Sequence, residues 1–131
     1  MNAPREQVTE FLTAMGVTGA EDDRLLDIAL TNAQNAIQNA INQPEIPDGL
    51  STALVYRTAG EYLLVKQGAG QLEQIGLVVD AAVKQIQEGD TNTVFALGEG
   101  DQTPEQRLNH LIDWLRTAGA DQFARFRKLV W

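Results

Sequence analysis

His110 is the first residue to test for chemistry, because imidazole titrates near neutrality and is the commonest metal ligand. It stands alone. The chain of 131 residues has no cysteine and no second histidine, so neither a Cys/His zinc set nor a cysteine nucleophile can be built from it. On a helix, His110 would lie beside an apolar stripe without the partners that acid–base catalysis requires. Gly68-Ala69-Gly70 begins a dinucleotide-binding fingerprint, but the place of its third glycine is taken by Glu73 and no strand precedes it, so the run reads as a linker. Asp90 and Asn92 open a calcium-loop pattern that fails where Phe95 replaces the sharp-turn glycine. Asp22 and Asp23 stand at a helix start, where negative charge offsets the positive end of the helix dipole. Glu99-Gly100-Asp101 reads as a solvated turn. These residues give no enzyme active site, no metal site and no cofactor site.

The elements that would position any site are mostly helices. Pro4 to about Met15 carries Val8, Phe11, Leu12 and Met15 at helical spacing, with proline in the first turn and Gly16 as the stop. After Gly19, the acidic run 21–23 opens a second helix. Its apolar stripe is Leu26, Leu30, Ala33, Ile37, Ala40 and Ile41, its opposite face is Asn and Gln, and it halts at Gln43-Pro44. Ala29, Ala33, Ala36 and Ala40 would let another helix approach closely. Pro47 opens a third helix running to about Gln67, apolar nearly all round from Leu50 to Leu64, and therefore expected to be the most buried element. From Leu72 the signal is mixed. Leu72, Ile75, Val79, Val83 and Ile86 keep helical spacing, Gly76 and Val78-Val79 weaken it, and Thr91, Thr93 and Phe95 alternate like a strand. This predicts a loose helix passing into an extended, β-like arm at about residues 84–100. Thr103-Pro104-Glu105-Gln106 is a capping box ahead of Leu108, Leu111, Ile112 and Leu115, a helix that Gly119 closes. Asp121 is placed to cap a last short turn bearing Phe123 and Phe126. The fold class expected is all-α, one small helical bundle spanning 1–131.

Composition bounds the function. With 44% apolar and 21% charged residues, a chain of this length can close one core without disulfides. The N-terminus has no apolar run to export or anchor it, which predicts a soluble, intracellular protein with no membrane partner. A net charge of −8 argues against ordinary DNA binding, which is driven by clustered Lys and Arg. The charge is polarised: residues 1–106 hold five basic against sixteen acidic groups, net −11, and residues 107–131 hold five against two, net +3. Such polarity suits a subunit whose one end meets the other end of a like neighbour, although on charge alone a solvated surface is the better explanation.

The acid-capped helix, the Pro-started helix with its tyrosines, the arm IQEGDTNTVFALGEG and the closing TPEQRLNHLIDWLRTAGADQFARFRKLVW together resemble the head-to-tail connector, or head completion, proteins of long-tailed bacteriophages and prophages. The likeness runs from about Glu21 to Trp131. Its most specific parts are Gly89-Asp90-Thr91, Phe95 and the basic-aromatic end from Phe126 through Arg127, Lys128, Leu129 and Val130 to Trp131. The resemblance implies a structural virion protein without enzymatic activity. It implies a ring of like subunits, about twelve in that family, beneath the portal protein. Such a ring carries the DNA exit channel toward a tail-completion or stopper protein, and DNA passes without sequence-specific binding. The implied location is the head–tail interface of the virion, reached from the host cytoplasm.

Two segments become candidate contacts. An extended arm has free N–H and C=O groups that a neighbouring chain can pair, so Asp90, Thr91, Thr93 and Val94 would lie along a partner with Phe95 as anchor; the alternative is a self-contained loop. Arg125, Arg127 and Lys128 beside Phe126 and Trp131 would meet the portal or the next subunit; the alternative is that Trp131 covers the end of its own bundle. Two further classes remain open: an acidic DNA-mimic inhibitor, and a small regulatory DNA-binding domain. The first requires carboxylates gathered on one face, and the second requires more than a short basic tail.

Overall fold

A computed structural model of the chain describes residues 3–71, 75–82 and 103–127. These form helices α1 (Pro4–Ala14), α2 (Arg24–Ile41), α3 (Ser51–Gly68), α4 (Pro104–Arg116) and α5 (Phe123–Phe126), with no strand among the described residues. The protein is an all-α bundle, as its periodicity implies. The expected arm at 84–100 lies outside the described residues.

Helix α3 is the axis of the bundle and packs against α1, α2 and α4. Its all-round apolar sequence has this cause: Ala53, Leu54, Val55, Ala59, Tyr62 and Leu63 are buried on several faces at once. The main core joins Val8 and Leu12 of α1 and Met15 just past its end, Leu26 and Ala29 of α2, Tyr62 and Leu63 of α3, and Leu111, Ile112 and Leu115 of α4. A second cluster joins Ala33, Ile37 and Ile41 to Leu50, Ala53 and Leu54, with Phe123 and Phe126 against it. Gly60 sets the approach of α3 to α4. A Cβ there would stand 2.9 Å from Leu115 Cβ and 2.9 Å from the Arg116 backbone nitrogen, closer than ordinary contact, so only glycine lets the helices come this near.

The helix starts follow their chemistry, with two corrections. Glu21 and Asp22 fall in a 3-10 turn, Ala20–Asp22, and Asp23 alone caps α2 by accepting from the Leu25 N–H at 3.0 Å. The capping box of α4 is complete, with Thr103 Oγ1 accepting from Gln106 N and Gln106 Oε1 accepting from Thr103 N. Asp121, in contrast, makes no side-chain cap: it lies within a 3-10 turn, Ala120–Gln122, and α5 follows directly.

The loose helix expected from Leu72 is broken where it is described. Gly76 has φ +85° and residues 77 and 78 are not helical, the helix resuming at 79–82. The reason is a crossing with the end of α1. Thr18 N donates to Ile75 O at 2.7 Å and Val78 N to Met15 O at 3.0 Å, bringing Gly16 (φ +92°) against Gly76. A Cβ on either glycine would sit 2.7–2.8 Å from the other's carbonyl oxygen. Helical spacing of apolar residues is satisfied here by two bonded turns instead of a continuous helix.

Candidate interaction surface at the C-terminal end

The basic-aromatic end is held by a chain of contacts that starts on α3. Arg57 Nε donates to the carbonyl of Ala118 at 2.6 Å, tying α3 to the turn after α4, and its guanidinium lies 4.7 Å from the centre of the Phe123 ring. Burial lowers the Arg57 pKa from its usual value while Glu61 opposes the shift; the group stays cationic throughout the physiological range. Phe126 is half-buried against the second cluster. Its ring fills the space beside Gly49, where even a Cβ would stand 2.5 Å from the ring edge, and its carbonyl accepts from Gln43 Nε2.

Of the residues singled out for contact, Phe126 is therefore placed in its own subunit, whereas Arg125 and Arg127 are exposed. The Arg125 guanidinium lies 6.0 Å from the Phe126 ring centre, at the limit of a cation–π contact. The wedge of Phe126 and the bond from Gln43 hold the backbone between the two basic residues against the bundle. Asp90, Thr91, Thr93, Val94, Phe95, Lys128 and Trp131 lie outside the described residues.

Beside this end is an open cleft of about 400 Å³ between α3 and the α4–α5 turn, with Tyr56 and Trp114 as aromatic walls and Thr52, Thr117, Asp121 and Gln122 as polar ones. Tyr56 is the middle of a ring series, 5.1 Å from Phe11 and 5.4 Å from Trp114 between ring centres. No local pattern marks this cleft, because its walls come from positions some sixty residues apart in sequence.

Among the described residues, the most densely bonded charged cluster lies elsewhere. Lys66 Nζ is 2.6 Å from Asp23 Oδ2, the Tyr62 hydroxyl donates to the same oxygen at 2.9 Å, and Lys66 also donates to Gln71 Oε1 at 3.2 Å. Desolvation acts to raise the Asp23 pKa, but the bonds from Lys66, the Leu25 N–H and Tyr62 outweigh it, and the net shift is downward. Burial and the Asp23 carboxylate push the Tyr62 hydroxyl well above its usual range. Every polar atom of the cluster that these bonds involve faces a partner, which suits a tie between helices better than a reacting group.

Asp80 and Arg107 form an ion pair, which joins the segment 79–82 to the first turn of α4. Among the described residues there is no cluster of three His, Cys, Asp or Glu side chains able to hold a metal, and His110 is exposed on α4. No helix among them is long and apolar enough to cross a membrane. No family model, curated protein or solved structure matches the chain.

Proposed function

We propose that this protein is a structural connector subunit that joins a bacteriophage or prophage head to its tail, assembling as a ring of like copies under the portal protein. The observation that carries the reading is the pair Arg125 and Arg127, exposed at the end of a chain that is strongly acidic elsewhere, with Phe126 between them anchored in its own core. That arrangement offers an exposed basic contact, carried on an anchored backbone, to the acidic body of a neighbour or to the portal. The role is mechanical, with the DNA passing through the ring and no bond made or broken by this chain. Exposed carboxylates are spread over α1, α2, α4 and the connecting loops, which favours the connector over a DNA mimic.

The test uses the full chain with the portal protein encoded in the same genome. Mixing them should give rings visible by electron microscopy. Phe95→Ala and deletion of residues 129–131 should leave helicity and melting temperature nearly unchanged while abolishing rings, since a loss of about 1 kcal/mol at each of roughly twelve contacts removes on the order of 12 kcal/mol from a closed ring. If either change unfolds the subunit, that segment belongs to the core. Tight, salt-sensitive DNA binding by the free chain would instead favour the regulatory reading.

A further inference from the structure

We propose that the exposed asparagine face of α2 is a pairing surface for a second copy of this chain, with the two α2 helices running antiparallel about Asn35. The inference is independent of the connector reading.

Residues 28–44 contain no charged side chain, an uncharged stretch in a chain of net charge −8. Within it, Ile28, Asn32, Asn35, Asn39 and Asn42 follow alternating steps of four and three residues and are exposed, Ile28 at 55%. That is the spacing of a helix-pairing seam. It lies on the side of α2 away from the buried stripe of Leu26, Ala29, Ala33, Ile37 and Ile41. Asn32, Asn35 and Asn39 make no side-chain hydrogen bond among the described residues.

The chemistry selects the occupant. A side-chain amide has both a donor and an acceptor, so an asparagine stripe is complementary to itself, as a two-fold contact requires. Elsewhere the acidic surface repels its own copy, whereas this face does not. The ends select the direction. Arg24, at the head of α2, and Glu45, just past its end, are exposed and have no ion-pair partner among the described residues. Antiparallel pairing sets Asn35 opposite Asn35 and Asn32 opposite Asn39, and brings Arg24 toward Glu45 of the second copy. Parallel pairing would bring like charges together at both ends. Such a contact closes on itself and cannot propagate into a ring, so it concerns the free subunit. Its polar composition predicts weak association, with a dissociation constant on the order of 100 µM.

Because the chain has no cysteine, single-cysteine variants report this geometry cleanly. Under mild oxidation of the full chain, Asn35→Cys should give disulfide-linked pairs at least about tenfold faster than Ala14→Cys, an exposed position at the end of α1. Asn32→Cys mixed with Asn39→Cys should link to each other. Ile28→Cys alone should not link, since antiparallel pairing holds the two copies of residue 28 roughly 21 Å apart. Arg24→Glu should slow the Asn35→Cys reaction, and adding Glu45→Arg should restore it. The proposal is overturned if Asn35→Cys links no faster than Ala14→Cys, if Ile28→Cys links as fast as Asn35→Cys, or if the charge exchange brings no recovery. In sedimentation of the unmodified chain, weak dimerisation that disappears in Asn35→Glu with Asn39→Glu is the expected result; identical behaviour of the two proteins contradicts it.

Discussion

Replacing Lys66 with methionine isolates the strongest tie between the start of α2 and the end of α3. Methionine keeps most of the aliphatic length that lies over the Tyr62 ring, where the ammonium sits 5.5 Å from the ring centre, and removes the charge. At the observed 2.6 Å, and an effective dielectric of about 20, the Asp23–Lys66 attraction is roughly 6 kcal/mol before desolvation. Desolvation offsets much of this, because the two side chains are only 11% and 19% exposed. Removing one partner of a fully buried pair costs about 3–5 kcal/mol. Here Asp23 keeps its bonds from Tyr62 and the Leu25 N–H and retains some water, so the expected loss is about 2 kcal/mol. With a urea slope of roughly 2 kcal/mol per molar, the unfolding midpoint should fall by about 1 M. Asp23→Asn retains a capping side chain while losing the charge, so the pair should form a non-additive cycle with a coupling of about 1–2 kcal/mol. Additivity within about 0.5 kcal/mol, or a Lys66→Met loss below that figure, would refute the assignment of this pair as a tie between the helices.

Other perturbations separate the fold from the contacts proposed for it. Gly76→Ala should destabilise the chain by at least about 2 kcal/mol in thermal melts, through a left-handed backbone and a 2.7 Å clash with the Gly16 carbonyl. The lowered Asp23 pKa contributes stability that is present above the ordinary carboxylate value near 4 and is lost as pH falls through the folded value, so denaturation midpoints should drop in that acid window. The raised Tyr62 pKa acts at the other end: its contribution is full below about pH 10 and declines as pH rises beyond it, and Tyr62→Phe should flatten that alkaline limb. Phe126→Ala should cost about 2 kcal/mol of subunit stability by emptying the space against Gly49, whereas Arg125→Ala with Arg127→Ala should leave the melting temperature unchanged and weaken only assembly.

How much of this was legible in the chain depends on whether a feature is local. The four long helices and the capping box at Thr103 were readable because propensity, apolar period and terminal residues agree within one segment. The burial of α3 was readable from its lack of a polar face. Asp23 was recognisable as part of an acidic helix start, but its bonds to Tyr62 and Lys66, some forty residues away, were not. Gly16 looked like a simple helix stop and Gly76 like a weakness, whereas each is required by the other's carbonyl across the crossing. Gly60 carried no signal at all, since a glycine within a helix reveals close packing only once the neighbouring helix is in place. For the candidate contacts, clustered positive charge beside aromatic residues is what singles out Arg125 and Arg127 in the sequence; that Phe126 turns inward between them depends on Gly49 and Gln43, which no local pattern connects to it.

The proposed role itself is tested most directly by deleting the gene from the genome that carries it and imaging the particles made. The connector account predicts full-sized heads that lose their DNA, accumulating beside finished but unattached tails, with joining restored by the intact chain supplied from a plasmid. Normal, infectious tailed particles from the deletion strain would contradict it.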